Sequence, residues 1–355
     1  MTPLAATLAA RIAATGPIGL DDFLAAAGQG YYAAADPFGA RGDFVTAPEV
    51  SQMFGELIGA WLAQVWLDQG APSRFVLAEL GPGRGTLMAD ALRAMAAAPG
   101  LLAAAELWLV ETSPVLRRAQ AERLASAAPR FADRVSALPP GPLYLIANEF
   151  FDALPIRQHR RADPAWQERR VGLAGGRLAF EWGSLRIDPD LDRRFPLTAD
   201  GVIVETCPVG EVAAAVVGAR IAAEGGAALV IDYGAWDGVG DTLQALSRHA
   251  PVDPLAAPGT ADVTAHVRFR ALAEAASPAR AFGPEPQGAF LERLGIAARA
   301  ARLARGRGPD VATLIAADVR RLTDAAEMGT LFKALAFVPP WTGAPPGFAD
   351  GPEQP

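Results

Sequence analysis

The chain has 355 residues, of which 51% are hydrophobic and 20% are charged, so it can bury a substantial core and is not expected to be disordered. Its net charge of −7 argues against nucleic acid or an anionic membrane surface as the main partner, because both need a basic footprint. One cysteine and three histidines exclude an internal disulfide framework, and we expect no bound metal. A chain of this length predicts about two domains, or one enlarged domain.

The first 70 residues predict a region of helices and a lid. Leu4, Leu8 and Ile12 recur at helical spacing without the basic stretch of an export signal. No apolar stretch has the length of a membrane span. We therefore expect a bacterial-type cytoplasmic protein with no membrane insertion, and the mitochondrial matrix is the alternative location. The glycine- and proline-rich stretch 30–49 predicts a loop-rich lid, and the apolar pattern of 53–66 predicts a helix whose Gly55 and Gly59 allow close packing.

Strands and helices then alternate, which predicts an α/β fold with a mostly parallel sheet covered by helices on both faces. The predicted strands are 74–80, 107–110, 134–138 and 143–147, and the predicted helices are 86–95 and 114–124. The alternation of strands and helices is interrupted at residues 156–199. Two strand-like runs flank Gly175 and Gly176 there, which predicts an inserted β-hairpin arm. The alternation is expected to resume with a strand at 202–204, a helix at 211–223 and a strand at 227–231.

These patterns predict the domain organisation. The Rossmann-like core would comprise 71–155 and 200–265, and a helical C-terminal part, 266–340, would complete it. Within that part, helices are predicted at 287–294 and 311–322. The proline- and glycine-rich end, 341–355, is expected to be a frayed tail.

A glycine-rich loop, Glu79-Leu80-Gly81-Pro82-Gly83-Arg84-Gly85, follows the first predicted strand of the sheet and precedes a helix. Glycines allow close approach of a ligand to the main chain, and a helix N-terminus offers free N–H donors. Thr86 stands where a dinucleotide-binding loop carries its last glycine, which disfavours a dehydrogenase. Glu111 ends the next strand, where a carboxylate can accept from both hydroxyls of a ribose. A tight turn without a ligand is the alternative.

The pattern E-x-G-x-G-x-G resembles the S-adenosylmethionine fingerprint of class I methyltransferases. This resemblance implies that Gly81, Gly83 and Gly85 line the methionine part of the cofactor. It also implies that Glu111 binds the ribose and that Glu79 holds the methionine ammonium or orders the loop. The predicted cofactor-binding set is completed by Pro82 and Thr86 of the loop and by Thr46 at the end of the lid.

Polar and aromatic residues follow the strand 143–147, in the run Asn148-Glu149-Phe150-Phe151-Asp152. The run is similar in position and composition to the Asn/Asp-plus-aromatic motif of class I enzymes that methylate nitrogen. If the acceptor is a guanidinium, carboxylates can clamp it and accept its proton. Glu149 and Asp152 are therefore the predicted catalytic residues, with Asn148 orienting either partner. The alternative is that Asn148 and Asp152 only cap the following turn and that both phenylalanines are core.

Further candidates for substrate contact lie later in the chain. Asp232 and Tyr233 end the strand 227–231, so they too should reach the carboxyl edge of the sheet. His249 and His266 lie in the loop-rich stretch that follows, together with residues 241–244. A lone histidine is more often structural than catalytic, so the sequence assigns these residues no role.

Several motifs in order resemble the MidA-like family, over about residues 15 to 335. They are Gly30-Tyr31-Tyr32, 42–49, Phe54-Gly55-Glu56, 79–86, 110–114, 148–155, 231–234 and Gln287-Gly288. The resemblance implies a class I methyltransferase that uses S-adenosylmethionine and methylates protein arginine. Mitochondrial members are complex I assembly factors, which implies a core subunit of NADH dehydrogenase as protein substrate. A small-molecule N- or O-methyltransferase and a non-catalytic assembly factor that binds the cofactor are the alternatives. The oligomeric state is left open, with a homodimer as one alternative.

Overall fold

The structure of this chain is a computed structural model that describes residues 2–34, 46–247 and 250–349. Its helices are α1 (Pro3–Thr15), α2 (Leu20–Ala34), α3 (Ala47–Val50), α4 (Gln52–Asp68), α5 (Thr86–Met95), α6 (Leu101–Ala104), α7 (Pro114–Arg123), α8 (Pro189–Arg194), α9 (Pro208–Glu224), α10 (Phe269–Ala275), α11 (Gln287–Arg293), α12 (Ile296–Ala304), α13 (Pro309–Thr323) and α14 (Met328–Leu331). Its strands are β1 (Ile18–Gly19), β2 (Phe75–Leu80), β3 (Ala105–Val110), β4 (Arg130–Ala132), β5 (Leu143–Asn148), β6 (Arg157–Ala162), β7 (Ala165–Ala174), β8 (Arg177–Trp182), β9 (Ile203–Thr206), β10 (Gly226–Ala235), β11 (Gln244–Ser247), β12 (Ala250–Pro251), β13 (Asp262–Thr264), β14 (Val267–Arg268), β15 (Arg280–Pro286) and β16 (Phe332–Val338).

The central sheet has the strand order β15-β16-β10-β5-β2-β3-β4, with β14 beside the end of β10. Strands β4, β3, β2, β5 and β10 are parallel, whereas β16 and β15 are antiparallel to their neighbours. Helices α4, α5 and α11 pack on one face, and α9 and α10 pack on the other. Because both faces are covered, β2 and β5 are buried along their whole length. The predicted α/β fold with a mostly parallel sheet is confirmed.

The third predicted strand was placed wrongly. The strand at that edge is β4, which pairs in parallel with β3 from Arg130 to Ala132. Residues 134–138, where the strand was expected, contain a short 3-10 turn, Val135–Ala137. A three-residue edge strand contains too few positions for a periodic pattern. The strand was therefore predicted at the apolar residues just beyond it.

A second, antiparallel sheet is built from β1, β7, β6 and β9, with β8 paired to β7. The predicted hairpin is present, since β7 and β8 pair from Ala174 opposite Arg177 to Arg169 opposite Trp182. It is part of this sheet, which α1 and α2 cover. The expectation that 202–204 resumes the central sheet is wrong, because β9 pairs with β6. β9 has no place beside β5 in the central sheet, because β2 pairs with one side of β5 and β10 with the other.

The C-terminal part differs from the predicted helical region and frayed tail. Strands β15 and β16 join the central sheet, where β16 pairs with β10. Residues 341–349 are packed: Phe348 is buried against Phe290, and the Trp61 indole N–H donates to the Pro346 carbonyl at 2.9 Å. A proline- and glycine-rich segment is therefore ordered here by one aromatic anchor and a side chain of α4. Residues 350–355 lie outside the described residues.

Two glycines of α4 allow close contact with α5, as predicted. A Cβ at Gly59 would lie 2.3 Å from the Ala91 carbonyl oxygen, and one at Gly55 would lie 2.7 Å from the Asp90 Cβ. The contact fixes α5, whose N-terminus faces the glycine-rich loop. Within the described part of the chain, no helix combines the length and apolarity that a membrane crossing requires.

Candidate functional site

The glycine-rich loop lies between β2 and α5, at the carboxyl edge of the central sheet. Gly81, Gly83 and Gly85 have φ values of 58°, 51° and 76°, in the left-handed region that favours glycine. A Cβ at Gly81 would come within 3.0 Å of the Phe150 ring, so that glycine also lets β5's end approach the loop. The loop therefore exposes its main chain next to the first turn of α5, whose N–H groups can bind an anionic group.

Glu79 lies at the end of β2 beneath the loop. Its side chain is only 2% exposed, and its Oε2 atom has no hydrogen-bond partner among the described residues. Burial raises the pKa of this carboxyl to about 8. A buried acceptor without a donor is costly, and a bound ammonium group would relieve that cost.

Glu111 is held in a fixed orientation at the end of β3. Its Oε1 accepts from the backbone N–H groups of Thr112 and Ser113, at 2.8 and 2.7 Å. The buried Gln120 amide donates to the Gly83 carbonyl at 2.7 Å and to Glu111 Oε2 at 3.3 Å. Burial, the largest effect, raises the pKa of Glu111, and these hydrogen bonds oppose it. Gln120 was missed by sequence reasoning, since a single glutamine in an amphipathic helix carries no signal.

A cavity of about 710 Å³ opens beside Glu111, within the usual size range of ligand pockets. Gly81, Gly83, Glu111 and Glu149 form one side of it. Its remaining walls are mostly apolar and include residues that the sequence did not predict: Leu24, Ala25 and Gly28 of α2, Leu116 of α7, Val135, and Val209, Val212, Ala213 and Val216 of α9, with polar groups from Gln29, Asp133, Arg134 and Ser136. Correct placement of β4 would have drawn attention to residues 133–136. The size and walls suit a nucleoside whose ribose lies at Glu111.

A smaller cavity of about 50 Å³ lies on the other side of the loop, and Gly81, Gly83 and Glu149 line both cavities. Thr46, Glu79, Pro82, Thr86 and Asn148 also line it. Gly85 lines neither cavity: it precedes α5 and packs near Leu124. The Thr86 hydroxyl donates to Glu49 Oε1 at 2.7 Å and accepts from Arg123. Thr86 thus ties the short helix α3 to the loop.

The run after β5 forms a tight turn at the meeting point of the two cavities. Glu149 has a φ of 50°, a left-handed conformation that costs a non-glycine residue about 1–2 kcal/mol. Desolvation, followed by repulsion from Asp152, raises the pKa of Glu149 to about 8. The Asn148 amide donates to Glu149 at 3.4 Å, and Asn148 Oδ1 is buried without a partner in the part of the chain that the structure describes. Phe150 lines the large cavity, whereas Phe151 is buried core.

Asp152 lies behind this turn and outside the lining of both cavities. Its carboxylate accepts from the Tyr233 hydroxyl, and within residues 2–34, 46–247 and 250–349 its buried Oδ1 has no partner. Burial is the main cause that raises the pKa of Asp152 to about 6. Asp232 is fully buried beside it and accepts from the backbone N–H groups of Phe151 and Asp152.

The other candidates lie away from the two cavities. His266 is exposed, packs edge-on against Tyr233 and lines a separate cavity of about 220 Å³ with Thr242. Asp241 binds Arg169 and Gln158, and Thr242 binds Glu205. His249 and residues 35–45 of the predicted lid lie outside the described residues. Among the described residues, no three His, Cys, Asp or Glu side chains are arranged to hold a metal ion.

The residues present fit S-adenosylmethionine, because its ammonium, its carboxylate and its ribose hydroxyls each have a matching partner. Glu79 offers the ammonium a buried carboxylate oxygen that no described residue binds, and the first turn of α5 offers N–H donors for the carboxylate. Glu111, already oriented, can accept from the ribose hydroxyls. The apolar part of the large cavity can enclose the base.

Comparison with known proteins agrees with this assignment. Residues 57–285 match the model of a family described as "Putative S-adenosyl-L-methionine-dependent methyltransferase". The chain is 36% identical to the Drosophila melanogaster protein arginine methyltransferase NDUFAF7 homolog, mitochondrial, over 95% of this chain and 85% of that protein. It is 33% identical to the Homo sapiens protein arginine methyltransferase NDUFAF7, mitochondrial, over 96% of this chain and 84% of that protein.

A solved structure is similar over almost the whole chain. A Burkholderia thailandensis protein bound to S-adenosyl-homocysteine is 32% identical, with a TM-score of 0.84, and the match covers 98% of this chain and 95% of that one. The fold, the glycine-rich loop and the family model therefore agree. The chain belongs to this family of methyltransferases and uses S-adenosyl-L-methionine as its cofactor.

Proposed function

We propose that this methyltransferase transfers a methyl group to a guanidinium nitrogen of arginine in a protein substrate. The observation that carries the proposal is the pair of side chains at the end of β5: among the described residues Asn148 Oδ1 is buried without a donor, and Glu149 beside it lines both cavities. A guanidinium has several N–H donors and a permanent positive charge, so it can satisfy both the hydrogen bonding and the charge of such a site. The names of the fly and human relatives support the same acceptor.

Glu149 is the proposed group that contacts the acceptor, because it lines both cavities. S-adenosylmethionine supplies an activated methyl group, so the protein mainly has to orient the nucleophile and exclude water. A positive guanidinium next to Glu149 favours the ionised carboxylate and lowers its pKa from the raised value of the free site. Once its own proton has left to solvent, that carboxylate holds the acceptor and takes the proton that the nitrogen loses as the nitrogen–methyl bond forms and the sulfur–methyl bond of the cofactor breaks, which leaves S-adenosyl-homocysteine.

Asp152 is proposed to support Glu149 from behind. Its carboxylate does not reach the lining of either cavity, so its contribution to the acceptor site is electrostatic in the free enzyme. Burial, and after it repulsion from Asp152, keeps a proton on Glu149 until a cation enters. Asn148 can orient the Glu149 carboxylate through its amide.

As acceptor protein we propose a core subunit of respiratory NADH dehydrogenase, which the family resemblance implies. As location we propose the bacterial cytoplasm; the similar protein of solved structure comes from a bacterium, Burkholderia thailandensis. The fly and human relatives are named mitochondrial proteins, so the mitochondrial matrix is the second location. A tagged copy in its native host, co-purified with NADH dehydrogenase and located by fractionation, tests both.

The reaction is tested with tritiated S-adenosylmethionine and a lysate from cells that lack the gene. We expect label in a protein band, and mass spectrometry of that band should find methylated arginine. Label in the low-mass fraction would contradict the proposal and favour a small-molecule methyltransferase. A protein that binds S-adenosyl-homocysteine by calorimetry but labels nothing would favour the non-catalytic assembly factor.

A further inference from the structure

Three consecutive residues at the end of β10 hold the turn that carries Glu149. The Ile231 carbonyl accepts from the Glu149 backbone N–H at 2.9 Å. Asp232 Oδ2 accepts from the backbone N–H groups of Phe151 and Asp152, at 3.0 and 3.3 Å. The Tyr233 hydroxyl donates to the Asp152 side chain. Backbone and side chain of the turn are thus held by the neighbouring strand.

Asp232 is itself fixed and shielded from water. It is fully buried, and its Oδ1 accepts from the backbone N–H of Tyr233 at 2.9 Å. Its carboxylate therefore accepts from three backbone donors, an arrangement that an amide or an alkyl side chain cannot reproduce. Tyr233 is fixed in turn by edge-on contacts with Phe332 and His266.

The turn needs such support because its backbone conformation is not one that the sequence prefers. Glu149 adopts a positive φ without being a glycine. Left-handed residues of this kind persist only where the surrounding structure holds them. Neither Asp232 nor Tyr233 lines the cavities at the glycine-rich loop, so neither is placed to contact the cofactor.

We propose that Asp232 and Tyr233 are positioning residues, which hold the Glu149 turn in the conformation that methyl transfer requires. They act through Phe151 and Asp152 and leave the cofactor site unchanged. The proposal rests on the proposed function for its effect on turnover. Its structural part, that the two residues hold the turn, does not depend on the identity of the acceptor.

The test compares Asp232→Asn, Tyr233→Phe and a matched control, Asp237→Asn. Asp237 lies on the segment after β10 and pairs with Arg268 and Arg270, away from the turn. We expect D232N to lower turnover of the labelled acceptor at least tenfold, and Y233F to lower it about threefold to tenfold. The KM for S-adenosylmethionine and the Kd for S-adenosyl-homocysteine should stay within threefold of wild type. D237N should keep turnover within twofold.

Amide hydrogen exchange of peptides that cover 148–155 gives a readout that needs no acceptor. With S-adenosyl-homocysteine bound, D232N should exchange the Phe151 and Asp152 amides at least tenfold faster than wild type and D237N. Unchanged exchange in D232N would overturn the positioning role, whatever the enzyme methylates. Faster exchange with wild-type turnover would show that the turn is held but that its conformation does not limit the reaction, which also overturns the proposal. A wild-type enzyme that methylates no arginine would instead contradict the proposed function.

Discussion

Glu149 and Glu79 are two carboxyl groups with similarly raised pKa values and different positions. Glu79 lies beneath the glycine-rich loop and lines only the small cavity, whereas Glu149 lies where the two cavities meet. Burial is the main cause of the raised pKa at both, but only Glu149 also has a carboxylate neighbour, Asp152, that raises it further. Their positions therefore assign Glu79 to the cofactor and Glu149 to the acceptor.

Replacing Glu149 with glutamine should therefore remove turnover and keep cofactor binding. We expect E149Q to lower kcat by about 10²–10⁴-fold, the usual contribution of a general base, since the amide can neither accept a proton nor balance a guanidinium. S-adenosyl-homocysteine binding by calorimetry should remain within threefold of wild type. Glu211→Gln is the control, because Glu211 pairs with Arg194 away from both cavities. Full turnover of E149Q would remove Glu149 from the mechanism.

Replacing Glu111 with alanine should have the opposite effect, on the cofactor alone. Loss of charge-assisted hydrogen bonds to the ribose, worth about 1.5–3 kcal/mol, predicts roughly 10–100-fold weaker binding of S-adenosyl-homocysteine. Glu106→Ala is the matched control: it lies on the same strand, β3, and pairs with Arg74 and Arg130. Equal affinities of E111A and the wild-type protein would place the ribose elsewhere.

At the scale of elements, the site depends on where α5 begins. The loop is joined to β2 on one side and to α5 on the other, and α5 is fixed by its close contact with α4. Glu56 of α4 is buried and forms a double hydrogen bond with Arg299 of α12, which joins the same helix to the C-terminal part. The helix layer behind the loop therefore reaches from α5 to α12.

A side chain at Gly59 should disturb this layer. Its Cβ would meet the main chain of Ala91, with the carbonyl oxygen at 2.3 Å and the Cα at 2.7 Å, so the helices would have to separate. We expect Gly59→Ala to lower the free energy of unfolding by about 1–3 kcal/mol, as overpacked core sites do. Ala60→Leu adds bulk on the exposed side of the same helix and should change it by less than about 0.5 kcal/mol. Thermal or urea unfolding measures both, and equal stability of G59A and wild type would contradict the close contact.

At the scale of the whole molecule, the free enzyme contains buried carboxyl groups that prefer to stay protonated. The pKa of Glu79 and that of Glu149 are raised to about 8, in both cases mainly by burial. Between the usual carboxyl pKa and these raised values, the folded protein binds more protons than the unfolded chain. Its stability therefore falls as pH rises through that interval.

We predict a measurable pH dependence of the melting temperature. From pH 7.0 to 8.5, above the usual pKa of histidine, the Tm of the free enzyme should fall, and Glu79→Gln should reduce the fall because it removes one of the titrating groups. Saturating S-adenosyl-homocysteine, whose ammonium group would lie at Glu79, should also reduce it. Glu106→Gln is the control. If the Tm of E79Q falls with pH as steeply as that of the wild-type protein, Glu79 does not titrate in this range.

Much of the molecule follows from local sequence patterns. Buried parallel strands appear in the sequence as apolar runs, and a glycine-rich loop that joins a strand to a helix fixes where both elements end. For these reasons β2, α5 and β5 were predicted nearly residue for residue. Glu111 was identified because a carboxylate at a strand end reaches the same edge of the sheet as the loop.

Only the tertiary structure decided which strands are neighbours and which side chains reach the cavities. β9 has the sequence pattern of a strand of the central sheet but pairs with β6. β16 comes from a region predicted to be helical, yet it pairs with β10 in the central sheet. Asp152 stands three residues from Glu149 yet lies behind the turn, because the left-handed Glu149 and the hydrogen bonds to Asp232 redirect the chain. Local sequence patterns indicate burial and turn preference. Strand pairing and side-chain direction depend instead on contacts between residues that are distant in sequence, and Asp152 and Asp232, for example, are 80 positions apart.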